Sequence, residues 1–360
     1  METEKFVIFL PFLVAFLTTA IVTPLSIVLL KKLNIVDDPK RKHPAILHKV
    51  PIPRGGGVPL FLGVLISSII FLPLNKIVLS IILASSIALV LGILDDKYDI
   101  SPYKRFIVNI LCAIIVVGAG ISVPFITNPL GGILFLNQFS FDFNILSFSI
   151  HLLLSDVIAV IWIVWVMNML NCSKGVDGQM PGIVAISSFV IGILSLRFPI
   201  TEEATFISAT LSFIVTGSAL GFLLYNFYPA KIFPGYGATA IYLILSVVSM
   251  LSGAKLATAI LVMGVPLADG AYTIARRIYE GKSPFWHDRK HLHHLLLSKG
   301  LNQRKIALFY WTISAILGTL SLVLTSKGKL FAIIMVVILV GGALYFLNFS
   351  LRLKDAKKPL

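Results

Sequence analysis

The stretch IVLSIILASSIALVLGILDDKYD, residues 77–99, decides how the whole chain is read. Residues 77–94 carry no charge, which suits a segment lying in hydrocarbon. The run then stops on Asp95-Asp96, with Lys97 and Asp99 directly behind. This alternation of apolar run and short charged loop recurs along the chain. A helix crosses a bilayer core with about 20 mostly apolar residues. By that measure about eleven spans are expected, at roughly 6–30, 56–74, 77–94, 105–123, 149–170, 180–197, 203–225, 237–252, 256–278, 304–324 and 329–350. Of these, 77–94 sits close behind its predecessor and 237–252 is short. The expected fold class is an all-α integral membrane protein, with residues 1–360 forming a single polytopic domain.

Composition excludes the other classes. Hydrophobic residues make up 57% of the 360 residues and charged ones 13%, against about 25% charged in a soluble protein. A soluble globule, a disordered chain and a disulfide scaffold are all ruled out. The charge is lopsided, with 30 Lys and Arg against 16 Asp and Glu, net +14. Counted by segment, 31–54 holds seven Lys and Arg, 95–105 three, 171–179 one, 226–236 one, 276–305 eight and the tail four. Only six lie on the alternate side: Lys5, Lys76, Arg197, Lys255, Lys327 and Lys329. Because cytoplasmic loops are enriched in Lys and Arg, the expected orientation is N-terminus outside and C-terminus inside. The first span is too long for a signal peptide and is read as retained. Cys112 falls within a span and Cys172 in a cytoplasmic loop, so no disulfide is expected. The outer segment 133–143 alternates around Asn137-Gln138 and reads as a small β-hairpin.

In a transporter, ionisable groups at mid-membrane depth would be expected. Here nearly all of them gather at cytoplasmic span ends, Asp156 and Asp269 excepted. Asp269 follows Gly264-Val265-Pro266, a break whose acid would cap a half-helix. The candidate chemistry lies in cytoplasmic loops 31–55, 95–105, 171–179, 226–236 and 279–303. Asp95 and Asp96 could hold a cation, or one could serve as a base beside the other. A solvated helix end would look the same. Asn168 and Asn171 share a helix face, and Gly175 and Gly178 permit close backbone approach to a nucleotide. Phe233, in NFYPAKIFPGYG, could stack on a base or simply lie at the membrane interface. SPFWHDRKHLHH, residues 283–294, puts four histidines among basic residues, which favours phosphate over zinc. Lys49 and Arg54, in HKVPIPRGGG, could cradle phosphate or merely contact lipid head groups.

In this order, RKH…PIPRGGG, LGILDDKYD, NMLNCSKGVDG, NFYPAKIFPGYG and SPFWHDRKHLHH resemble the polyprenyl-phosphate N-acetylhexosamine-1-phosphate transferase family over roughly residues 37–295. The last motif is similar to the branch acting on N-acetylglucosamine rather than the peptidoglycan translocase. The resemblance implies a reaction: UDP-sugar plus polyprenyl phosphate gives polyprenyl-diphosphate-sugar plus UMP, starting cell-envelope glycan synthesis. It implies the plasma membrane, a site facing the cytoplasm, the lipid bilayer as partner, no nucleic acid, and room for a homodimer. It implies Asp95 and Asp96 as the catalytic acidic pair. Asn168, Asn171, Gly175, Asp177, Asn226 and Phe233 become nucleotide-binding positions, and Lys49, Arg54, Arg289, His291, His293 and His294 phosphate- or sugar-binding ones. Mg²⁺ is the implied cofactor, held by Asp96 and Asn171.

Two positions depart from that family's pattern. Lys174 stands where an acid is usual, and Tyr236 where the family has an aspartate that ligates Mg²⁺. If both face the site, its charge changes by three units toward positive. Either Asp95, Asp96 and Asn171 hold the metal with help from the diphosphate, or Lys174 replaces it as a fixed catalytic cation, or the chain has become a non-catalytic binder. A phospho-MurNAc-pentapeptide transferase is the alternative within the class, and a transporter the one outside it.

Overall fold

The computed structural model describes residues 2–38, 50–128, 131–145, 148–251 and 256–356. Lys49 and most of the first basic loop lie outside these residues. The chain opens with a long helix, α1 (Glu2–Lys32), and a two-stranded ribbon, β1 (Val36–Asp37) with β2 (Ile52–Pro53). Then come α2 (Gly57–Phe71), α3 (Lys76–Tyr98) and α4 (Pro102–Gly118). Asn75 starts α3 by accepting the Val78 N–H at 2.9 Å. Asp99 ends it with φ +51, sending its N–H back to the Asp95 carbonyl at 2.9 Å. Pro102 opens α4, where the first turn needs no N–H donor.

The outer segment corrects the expected single hairpin. β3 (Phe125–Thr127) pairs with β4 (Ile133–Phe135), and β5 (Ser140–Ile145) pairs with β6 (Phe148–Leu153), both antiparallel. Asn137-Gln138 is therefore no hairpin tip. Leu136–Gln138 forms a single 3-10 turn between two hairpins, because the Leu136 side chain is buried and its N–H bonds Pro124 O at 2.8 Å. The first hairpin turns instead at Gly131 and Gly132, both at positive φ. Because β6 runs to Leu153, the helix expected from 149 starts later, as α5 (Leu154–Cys172).

The remaining helices are α6 (Gln179–Ser195), α7 (Glu203–Asn226), α8 (Thr239–Val248), α9 (Leu256–Val262), α10 (Gly264–Tyr279), α11 (Leu292–Ser298), α12 (Gln303–Val323) and α13 (Ser326–Ala356). α9 and α10 meet at 81°. Pro266 sits in the first turn of α10, where it starts a helix but cannot continue one from α9. Each expected span meets a helix. Among the described residues, however, only six helices are long and apolar enough to cross a membrane: Ile8–Lys32, Lys76–Tyr98, Leu154–Cys172, Glu203–Asn226, Gln303–Val323 and Ser326–Ser350. The bent pair would make a seventh, while α2, α6 and the segment Tyr236–Val248 are apolar but shorter.

Helices pack through small polar residues as well as apolar ones. Thr19 of α1 donates to Ser218 of α7 at 3.0 Å, and Ser188 of α6 meets Thr216 of α7 at 2.8 Å. Such bonds contribute about 0.6 kcal/mol each in a bilayer. The outer helices expose Ile21, Leu25, Phe331, Ile338 and Phe346. An apolar exterior around a hydroxyl-linked interior matches a chain solvated by lipid.

Candidate active site

Three glycines fix the site's geometry. A Cβ on Gly92 of α3 would lie 2.3 Å from the Gly237 Cα, and one on Gly57 of α2 would lie 2.2 Å from the Gly237 carbonyl carbon. No side chain fits at either place. The contact holds residues 235–237 directly against the end of α3, one turn beyond Gly92, where Asp95 and Asp96 stand. A parallel bridge between Arg54 and Phe233 brings the start of α2 to the same loop. Gly235 has φ +68, and a Cβ there would strike Asp96 Oδ2 at 2.1 Å.

The two aspartates are 0% and 4% exposed, yet their surroundings differ. Arg105 Nη1 donates to both oxygens of Asp95, at 3.3 and 3.1 Å. Asp96 Oδ1 takes the Tyr236 N–H at 2.8 Å and Arg54 Nε at 2.9 Å. Asp96 Oδ2 is buried and has no hydrogen-bond partner. Lys174 Nζ reaches the Gly235 carbonyl at 2.8 Å. Burial lowers its pKa to about 8, the Asp96 carboxylate opposing part of that fall. Two cations lie against the Tyr236 ring: Arg105 Cζ is 4.8 Å and Lys174 Nζ 5.5 Å from its centroid. Asn109 donates to the Tyr236 hydroxyl at 3.1 Å. The two carboxylates thus share their setting with three cations.

The histidine segment is built from the other side. Asp269, inside α10, accepts from the Leu292 N–H at 3.2 Å and lies 3.3 Å from His291 Nδ1. It therefore caps the first turn of α11, not its own half-helix as the sequence suggested. Asp288 receives Arg276 Nη2 at 2.8 Å and Arg277 Nε at 3.2 Å, and its pKa falls to about 2 although burial opposes this. Burial works against the charged form of His291, but Asp269 outweighs it and raises the pKa to about 10. Burial, then His294 and His291, push His293 well down, and burial with His291 lowers His294 to about 4. At neutral pH this trio carries one charge, on His291. His293 packs where a Cβ on Gly175 would meet its Nε2 at 2.0 Å, so Gly175 joins the two motif loops.

Cations and histidines of these clusters line a cavity of about 740 Å³, while Asp95 and Asp96 are not on its wall and touch it through Arg105, Arg54 and Tyr236. Arg54, Arg105, Lys174, Tyr236, His291 and His293 border it, as do Asn168, Asn171 and Phe233. Its wall continues along α4 and α5 to Ile110, Val160, Ile161 and Trp165. From Asn171 back to Val160 that is about 16 Å of helix. A second cavity of about 370 Å³, apolar throughout, shares Ile161 and Trp165 and runs on to Ile260 and Val336.

Not every expected site residue faces this space. Asn168 Nδ2 donates to the Val164 carbonyl of its own helix at 2.7 Å. Asp177 Oδ2 accepts the Ala230 N–H at 3.0 Å, Asn226 Oδ1 accepts the Gly178 N–H at 3.0 Å, and Asn226 Nδ2 donates to Ile232 O at 2.8 Å. Asp177 and Asn226 therefore clamp the 173–178 loop to the 227–235 loop and lie off the cavity wall. Arg289 is exposed and also off that wall. Arg105, Asn109, Asp269 and Arg277 were missed as site residues. Arg105 had been counted only as a loop charge, and its spacing ten residues behind Asp95 was the signal available.

Mg²⁺ asks for an octahedron of oxygens, commonly one or two carboxylates with substrate phosphates and water. Asp95 has both oxygens on Arg105, and Asp96 has one on Arg54 and the Tyr236 N–H. Around the acidic pair, Asp96 Oδ2, Asn171 Oδ1 and Asn109 Oδ1 are buried oxygens without partners, and only the first belongs to a carboxylate. Among the described residues, no three His, Cys, Asp or Glu side chains are grouped to hold an ion. This donor set does not fit a resident Mg²⁺.

Membrane-length apolar helices surround a buried acid and cation cluster, and comparison with known proteins assigns the class: transferases of sugar phosphates. The chain belongs to glycosyl transferase family 4, whose profile matches residues 78–253. It is 31% identical over 339 residues to the probable undecaprenyl-phosphate N-acetylglucosaminyl 1-phosphate transferase of Bacillus subtilis (strain 168), covering 91% of this chain and 88% of that one. It is 31% identical over 328 residues to the undecaprenyl-phosphate alpha-N-acetylglucosaminyl 1-phosphate transferase of Haemophilus influenzae, covering 88% and 85%. The decaprenyl-phosphate N-acetylglucosaminephosphotransferase of Mycobacterium leprae is 28% identical over 364 residues, covering 92% and 87%.

Proposed function

We propose that this enzyme transfers N-acetylglucosamine-1-phosphate from UDP-N-acetylglucosamine to polyprenyl phosphate, releasing UMP, at the cytoplasmic face of the plasma membrane. The observation that carries the reading is the cavity that joins an end lined by Arg54, Arg105 and Lys174 to an apolar wall. An acceptor with one phosphate on an isoprenoid chain matches both ends. A soluble sugar donor and a lipid acceptor can meet there only if the charged end opens to water, and 24 of 30 Lys and Arg residues fall on that side of the expected eleven-span topology. The sugar-nucleotide donor follows from the family and from the two loops clamped by Asp177 and Asn226, with Phe233 offered to the base.

A lipid phosphate oxygen attacks the β-phosphorus of the UDP-sugar, forming a new O–P bond. The bond from that phosphorus to the bridging oxygen breaks, and its electron pair leaves with UMP. An acceptor arriving as the monoanion passes its proton to Asp96, which lies behind the cavity wall on Arg54 and keeps Oδ2 without a partner; the dianion needs no proton transfer. Phosphoryl transfer of this kind depends mainly on positioning and charge neutralisation. The test is purified full-length protein in proteoliposomes with polyprenyl phosphate and UDP-N-acetylglucosamine. UMP and a lipid-diphosphate-sugar in equal amounts are expected. No UMP from this or any other UDP-sugar would overturn the reading and leave a non-catalytic binder.

A further inference from the structure

The site's charges are arranged as though a cation were already built in. Lys174 Nζ, Arg105 and Arg54 converge on the acidic pair, and the first two lie against the Tyr236 ring. All three line the cavity. A tyrosine at 236 supplies a ring face and a hydroxyl held by Asn109, neither of which would compete for these cations as a carboxylate would. Asp99 also stands 3.8 Å from Arg54, so three carboxylates balance three cations and the cluster is neutral before substrate enters. Incoming phosphates bring several negative charges, and fixed donors in a buried site neutralise such charge without reorganising.

We infer that this enzyme works without a bound divalent ion, with Lys174, Arg105 and Arg54 holding the diphosphate and the acceptor phosphate in its place. The inference rests on the transfer reading above and specifies how that transfer is stabilised. Lys174 and Arg105 are the phosphate-facing groups. Tyr236 is a positioning residue: its ring fixes where the two charges stand. Arg54 has a double duty, because it also holds Asp96 Oδ1 and so leaves Oδ2 as the basic oxygen. The bond changes are those already written, and no further reactant is needed.

The experiment has an activity arm and a binding arm. UMP release is measured on the full-length protein in excess EDTA and again with Mg²⁺. Activity in EDTA within about twofold of that with Mg²⁺ is expected; loss in EDTA and recovery with Mg²⁺ would overturn the inference. Lys174→Met should lower turnover by about 100-fold or more with unchanged thermal unfolding, and Lys174→Arg should recover much of it. A purely structural lysine would show the opposite pattern. In the binding arm, Mn²⁺ is titrated into the protein and the free-ion spectrum followed. The wild type should take up none at the site, and the Lys174→Asp, Tyr236→Asp pair should take up one ion per chain. One Mn²⁺ bound by the wild type and lost in Asp96→Asn would overturn the inference. If no UDP-sugar is turned over under any condition, the transfer reading fails, and the binding arm still decides the question of the metal.

Discussion

Asp95 and Asp96 are adjacent in sequence but not equivalent. Asp95 spends both oxygens on Arg105, while Asp96 keeps Oδ2 without a partner. Asp96→Asn should therefore lower UMP release by about 100-fold or more, the scale of a lost general base. Its effect should be smaller with acceptor supplied as the dianion at high pH. Asp95→Asn should act through Arg105, raising KM more than it lowers kcat, and steady-state kinetics on the two variants separate these roles. His291 carries a pH prediction. Its pKa rises from 6.5 to about 10 in the folded protein, so its charged pairing with Asp269 stabilises fully below about 6.5. That stabilisation is lost as pH climbs through about 10. His291→Gln should cost about 2 kcal/mol at pH 6, and the gap in unfolding temperature from wild type should shrink steadily toward pH 10. A constant gap would show that the pair is not charged.

At the scale of elements, helix ends and close contacts carry the site. Gly92→Ala would put a methyl 2.3 Å from the Gly237 Cα and N, against backbone with no flexible side chain to yield. A loss of about 1–3 kcal/mol is expected, read as lower thermal stability in detergent, with activity falling because residues 235–237 shift off Asp96. The sequence showed where these motifs lie but not why the glycines are there. Apolar runs located every helix except α11, which lies in the loop expected at 279–303, since hydrocarbon imposes one local rule on the spans and none on the loops. The bend between α9 and α10 was signalled by Gly264 and Pro266, which act locally. Contacts between distant segments leave no such mark. Nothing in the sequence near Asp269 says that it caps α11, twenty-three residues away. Asp177 and Asn226 look like ligand-facing residues because polar side chains in a glycine-rich loop serve backbone and nucleotide alike. Arg105 was hidden by the rule that explained the other basic residues as topological. The double hairpin was missed because alternation at 133–143 spans two strands that pair outward, not with each other.

The whole molecule must bring a water-soluble donor and a lipid acceptor to one phosphorus atom. In cells carrying a variant with Cys112 and Cys172 replaced, a membrane-impermeant maleimide should label Asn137→Cys from outside and Tyr279→Cys only after the membrane is opened. Reversed labelling would invert the topology and remove the cytoplasmic site. The acceptor makes the sharper demand. On the proposed reading its phosphate sits among Arg54, Arg105 and Lys174 and its chain leaves along α5, where Val160, Ile161 and Trp165 replace the polar lining. The second cavity continues that wall through Ile161 and Trp165 to Ile260 and Val336 between α9, α10 and α13. The break between α9 and α10 matters here, because a straight helix would not make that bend of 81° beside the opening. Ile161→Trp fills the junction of the two cavities without adding charge. Displacing about two methylene groups of the lipid from apolar surface costs about 1.5 kcal/mol, near tenfold in affinity. The variant should raise KM about tenfold for a long polyprenyl phosphate. It should leave kcat and the KM of a two-isoprene acceptor unchanged, because that short chain ends before the junction. An equal rise for both acceptors would mean that the substitution disturbs the phosphate end and that the chain takes another path.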